Sequence, residues 1–130
     1  NVCHAWLPAL RQTRGVIVNV ASIASLSGQP NTLGYSPSKG AVKMLTQSLA
    51  ADLARDGVRV NAIAPGVIDT PMTVATRTDP AKLERFMSRI PMNRVGQPEE
   101  LVGAVLFLAS SMSTYVTGVT LPVDGGYLAA

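Results

Sequence analysis

Three short apolar runs constrain the fold of this chain more than any other feature. They are Val16-Ile17-Val18-Asn19-Val20-Ala21, Val58-Arg59-Val60-Asn61-Ala62-Ile63-Ala64 and Val119-Thr120-Leu121-Pro122-Val123. The first is β-branched and nearly continuous, a pattern that suits a strand buried on both faces of a parallel sheet. Helical patterns lie around and between the runs. Residues Val2 to Arg11 carry Val2, Trp6, Leu7 and Leu10 at helical spacing, and Pro8 marks where that helix bends or stops. A long helix is expected from about Tyr35 to Arg55, with Val42, Leu45, Leu49 and Leu53 as its apolar stripe and Gly57 as a left-handed cap. The stretch 67–93 is irregular except for one amphipathic helix, capped by Asp79, opened by Pro80 and apolar along Leu83, Phe86, Met87 and Ile90. Pro98, Glu99 and Glu100 open a further, strongly apolar helix through Leu108. Strands separated by helices imply right-handed crossovers and a parallel sheet, an α/β layer architecture.

A chain of 130 residues makes one domain at most. Its charged residues are 15% of the total, where about 25% is usual. That deficit implies apolar surface covered by something outside this sequence, either further chain or a partner subunit. The chain opens at Asn1, without an initiator methionine and inside a helical pattern, so it reads as a piece of a longer protein. The net charge of +3 is spread without a basic run, which does not support nucleic-acid binding. No apolar run reaches the roughly 18 residues of a membrane span. Cys3 is the single cysteine, so no internal disulfide forms, and a reducing, cytoplasmic setting is expected. His4 is the single histidine, and no metal-ligand set is legible around it.

In sheets of this kind ligands sit beyond the carboxyl ends of the strands. Ser22 ends the first run, Pro65-Gly66 closes the second, and Tyr35 follows the first by a loop, so these residues and the segment after Gly66 can face one cleft. Tyr35 and Lys39 lie four apart at the head of the long helix, which places them on one face with Cβ atoms about 5–6 Å apart. A free phenol gives up its proton at a cost of about 4 kcal/mol at neutral pH. A cation about 4 Å away, at an effective dielectric of about 20, offers a similar energy as an upper bound. The pair is therefore suited to proton transfer. Ser25 is a neighbouring hydroxyl and ranks below Ser22. Met72 and the 80–90 helix are placed to form a lid over a substrate.

Five segments together resemble the short-chain dehydrogenase/reductase family. They are Asn19-Val20-Ala21-Ser22, Tyr35-Ser36-Pro37-Ser38-Lys39-Gly40-Ala41, Val60-Asn61-Ala62-Ile63-Ala64-Pro65-Gly66, Asn93-Arg94-Val95-Gly96-Gln97-Pro98-Glu99-Glu100 and Val123-Asp124-Gly125-Gly126. The resemblance spans the whole chain, and within the family it runs towards gluconate 5-dehydrogenases and 3-oxoacyl-carrier-protein reductases. It implies the C-terminal part of a Rossmann-like, doubly wound parallel sheet, working with NAD or NADP on a small alcohol or ketone. In that reading Tyr35 is the catalytic acid/base, Lys39 holds the nicotinamide ribose and assists Tyr35, and Ser22 orients the substrate oxygen. Pro65, Gly66, Val67, Ile68 and Thr70 line the cofactor, Ile68 through its backbone and Thr70 through its hydroxyl. A homodimer or homotetramer is also implied. The family's glycine-rich dinucleotide loop is absent from the sequence, and so is its catalytic asparagine, a role that Asn1 does not fill. The 130 residues alone are accordingly expected to bind cofactor poorly and to turn nothing over. Two other readings use the same residues: a non-catalytic oligomerisation or binding module, and an epimerase or dehydratase with the same Tyr-Lys pair.

Overall fold

A computed structural model describes residues 2–130. Asn1, at which the sequence opens inside a helical pattern, lies outside the described residues. Three strands form one parallel sheet in the order β1-β2-β3: β1 is Val16–Val20, β2 is Arg59–Pro65 and β3 is Thr120–Val123. The helices are α1 (Val2–Thr13), α2 (Tyr35–Leu53), α3 (Val74–Arg77), α4 (Pro80–Met87) and α5 (Val102–Ala109). Among the described residues, no helix is long and apolar enough to cross a membrane.

The central strand β2 is buried from Val60 to Ala64. Side chains alternate along it. Val60 packs with Ala50 and Leu53 of α2, with Leu7 and Leu10 of α1 around them. The other face carries Arg59 and Asn61, which bond to α5 and the segment after it. Arg59 donates to the carbonyl oxygens of Leu108 and Ser110, at 2.8 and 2.9 Å, and to the Ser113 hydroxyl at 2.9 Å. The guanidinium thus satisfies carbonyls that the end of α5 leaves without helical partners. Asn61 is fully buried; its side-chain amide donates to the Val116 carbonyl at 2.9 Å, and its Oδ1 accepts from the Val119 amide at 3.1 Å. It holds the run into β3 in register.

Three expectations change. The first strand is the exposed edge that an open three-stranded sheet must have, but it is half-buried along most of its length rather than buried on both faces, and Val20 is 56% exposed. The inward face of α2 is Thr46, Ala50 and Leu53 rather than the full leucine stripe, and Leu45 points outward. Thr46 is fully buried because Asn19 of β1 donates to its hydroxyl at 2.9 Å while that hydroxyl donates to the Val42 carbonyl at 2.8 Å. Helix α1 continues through Pro8 to Thr13, with Leu7 and Leu10 anchored on α2 across the turn that lacks an amide. The remaining boundaries hold closely. Gly57, with φ 75°, caps the turn Ala54–Asp56 that follows α2, and Asp79 caps α4 by accepting from the amides of Ala81 and Lys82.

The entry to α5 is set by charge. Arg94 grips both oxygens of Glu100, at 2.7 and 2.6 Å, and Glu100 also accepts from the Gln97 amide at 2.8 Å. These contacts, the Arg94 bond foremost, hold the Glu100 carboxyl at about 2, below its ordinary 4.5. A lowered carboxylate stabilises the fold above its unfolded value and loses that contribution as the pH falls. Stability should therefore drop between pH 4.5 and pH 2, and Glu100→Gln should flatten that part of the profile. Thermal unfolding followed against pH reads it; equal slopes in the two proteins would remove Glu100 from the acid response.

Candidate active site

The carboxyl ends of β1 and β2 open on a cavity of about 490 Å³. Ser22, Tyr35, Gly66 and Val67 all line it, so the sequence-chosen residues from three separate segments meet in one place. Ser22 is 7% exposed and caps a single turn, Ile23–Ser25. Its Oγ accepts from the Ala24 amide at 3.1 Å, which fixes the oxygen and leaves its own O–H to be given elsewhere. Ser25 turns away and donates to the Ser22 carbonyl at 2.6 Å.

Tyr35 begins α2 and is 41% exposed at the cavity wall. Lys39, one turn on, is half-buried. Its Nζ donates to the Val20 carbonyl, the last of β1, at 3.0 Å and lies 5.9 Å from the centre of the Tyr35 ring. The strand end thus holds the ammonium beside the phenol, as the four-residue spacing requires. Pro37 lies in the first turn of α2, where its missing amide costs nothing.

The segment after β2 is held from both sides. The Gly66 amide donates to the Val123 carbonyl at 2.9 Å, and a Cβ on Gly66 would stand 2.8 Å from the Asp124 Cα. Only glycine lets the two strand ends approach this closely. Ile68 makes a parallel bridge with Gly96. That bridge uses the amides of Asp69 and Gly96, so the Ile68 N–H is not spent on it. Arg77 secures the next turn by pairing with Asp69 at 2.6 Å and reaching the Thr70 carbonyl and the Thr73 hydroxyl. Pro65 ends β2, half-buried, and Thr70 stands at the head of the following turn with its backbone tied to Thr73. Val67 and Ile68 form a buried apolar pair, of which Val67 lines the cavity; Lys39, Pro65, Ile68 and Thr70 lie outside its lining.

Of the far wall, the sequence points to Met72 and the 80–90 helix and not to the remaining residues. Gln29, Thr32, Thr73, Phe86 and Tyr127 line it, together with Lys82, Arg85 and Arg89. Tyr127 is 2% exposed, and its hydroxyl donates to Gln29 Oε1 at 3.0 Å. The Arg89 guanidinium sits over its ring at 4.3 Å. Met72 and α4 do border the cavity, as a covering element would. The spacing of Lys82, Arg85 and Arg89, three and then four residues, was the available signal for the cations. Among the described residues no group of three or more His, Cys, Asp or Glu could hold a metal ion.

The chain matches, over residues 1–128, a family described as enoyl-(acyl carrier protein) reductase. It is 46% identical over 128 residues to the 2-(R)-hydroxypropyl-CoM dehydrogenase of Xanthobacter autotrophicus, covering 98% of this chain and 51% of that protein. It is 44% identical over 127 residues to the 3-oxoacyl-[acyl-carrier-protein] reductase of Thermotoga maritima, covering 97% and 51%. Its fold superposes with a TM-score of 0.96, at 40% identity, on the crystal structure of a gluconate 5-dehydrogenase from Burkholderia cenocepacia in complex with NADP and tartrate; the match covers 100% of this chain and 51% of that one. The chain spans about half the length of the curated relatives it matches.

Proposed function

Since this chain belongs to the short-chain dehydrogenase/reductase family and matches the C-terminal half of its Rossmann fold, we propose that the intact protein interconverts a secondary alcohol and a ketone with NAD or NADP. The observation that carries the reading is the placement of Ser22 and Tyr35 on one cavity with Lys39 anchored beside Tyr35.

The nicotinamide, when bound, accepts or supplies the hydride. Lys39, Tyr35 and the segment Pro65, Gly66, Val67, Ile68 and Thr70 would hold it. Ser22 presents its O–H to the substrate oxygen and fixes where that oxygen lies. Tyr35 takes the alcohol proton in oxidation and returns one to the carbonyl oxygen in reduction. Lys39 is placed to hold the nicotinamide ribose beside Tyr35, its ammonium anchored by the Val20 carbonyl rather than swinging into solvent. An NADP-bound relative supports this cofactor class, and the choice between the two nicotinamides stays open in the proposal. Assembly as a homodimer or homotetramer belongs to the same reading: Trp6, Met44 and Leu45 on the α1 and α2 side, and Val102 and Leu106 on α5, are exposed apolar side chains.

The test is product analysis with the intact protein, a panel of secondary alcohols and each nicotinamide. Ketone should form in step with reduced cofactor, one for one. Interconversion of alcohols with no net change in the cofactor would replace this reading with an epimerase or dehydratase. No turnover across the panel, with a stable oligomer, would favour the binding module.

A further inference from the structure

The cavity that holds Ser22 and Tyr35 carries three cations in its lining, Lys82, Arg85 and Arg89, and no acid. All three come from α4 and its exit, at three- and four-residue spacing, so they form one row along one side of the opening. Lys82 is engaged with Asp79 at 3.0 Å, an exposed pair of little strength. The Arg85 and Arg89 guanidiniums have no carboxylate partner among the described residues. Arg89 lies on the Tyr127 ring, which takes up charge but satisfies none of its N–H donors. Four arginines elsewhere are matched: Arg11 with Asp56, Arg59 with three oxygens, Arg77 with Asp69 and Arg94 with both oxygens of Glu100; Arg14 and Arg55 lack a carboxylate too, but neither lines the cavity. A row of unmatched cations at the mouth of an otherwise neutral cavity lacks an anion that a substrate would bring.

We infer that the substrate is an anionic alcohol or ketone, carrying a carboxylate or an equivalent acidic group that Arg85 and Arg89 grip while its carbinol carbon lies at Ser22 and Tyr35. This rests on the oxidoreductase reading and narrows it to a substrate class. Lys82 adds long-range attraction. Arg85 sets specificity; Arg89 shares that task with its structural place on Tyr127, so Arg85 is the cleaner residue to change.

The experiment compares matched acids and amides in the intact protein: gluconate against gluconamide, and 3-hydroxybutyrate against 3-hydroxybutyramide. For an acid that is turned over, kcat/KM should exceed that of its amide by about tenfold or more, since a charged hydrogen bond is worth about that ratio. In Arg85→Gln, with an unchanged unfolding midpoint, that preference should fall by about the same factor. An acid-to-amide ratio near one in the native protein overturns the inference, as does a ratio that Arg85→Gln leaves alone. A variant that weakens cofactor binding while the ratio persists also overturns it, by assigning the cations to the cofactor phosphates. If nothing is turned over, the redox reading fails on its own. Calorimetric titration with tartrate then decides the anion site: binding that Arg85→Gln weakens about tenfold sustains it, and no binding, or binding the variant leaves alone, removes it.

Discussion

Turnover by the intact protein should fall by about 10²- to 10⁴-fold when Tyr35 is replaced by phenylalanine, the range lost when a positioned general acid/base is removed. The substitution deletes one oxygen and keeps the ring that Lys39 lies beside. The fold has little reason to change, because the Tyr35 hydroxyl faces a cavity and the residue is 41% exposed. The loss should therefore appear in kcat with the unfolding midpoint within about two degrees of the native value, given that surface changes usually stay within about 0.5 kcal/mol. Steady-state rates and a thermal melt of the same sample read both. Native turnover in the Tyr35→Phe protein would place the proton transfer on another group and end the proposed role.

The largest loss of stability should come from Asn61→Leu. The two side chains share a branched skeleton, but leucine's methyl groups are bulkier than the amide, so some overpacking in a fully buried place adds to the chemical loss. The substitution strips the Val119 amide of its acceptor and the Val116 carbonyl of its donor, in a place that leucine fills and water does not reach. An orphaned buried polar group costs about 1–3 kcal/mol, so the pair should cost roughly 2–5 kcal/mol. For a domain near this size that lowers the melting midpoint by roughly 10 °C or more. Asn61→Asp is the informative companion: it keeps the acceptor for Val119 and turns a carboxylate oxygen towards the Val116 carbonyl, so it should be destabilised as well. If Asn61→Leu melts with the native protein, the link between β2 and the approach to β3 is not what keeps the sheet closed.

The sequence made the strands legible because their β-branched runs have few other places to go, and the parallel order followed from the helices between them. The Ser22, Tyr35 and Lys39 constellation was legible because its spacing is local and its supports are the ends of regular elements. What escaped was non-local. Thr46 faces inward only because Asn19, twenty-seven residues earlier, offers it a partner. A stripe counted along α2 alone cannot show that, so Leu45 was assigned to the wrong side. The α3 turn is a single turn, too short to leave a period. The 80–90 helix was legible as a cover, but its charges were not legible as part of the site, since charges at such spacing usually meet water. The cavity, assembled from segments a hundred residues apart, shows that Lys82, Arg85 and Arg89 line it.

The bond between Tyr127 and Gln29 joins residues 98 positions apart and closes one wall of the cavity. It fastens the segment after β3 to the loop that leads into α2, so that wall is a tether between two distant stretches and a property of neither alone. Cutting the tether should loosen the approach to Tyr35 while the sheet itself stays paired.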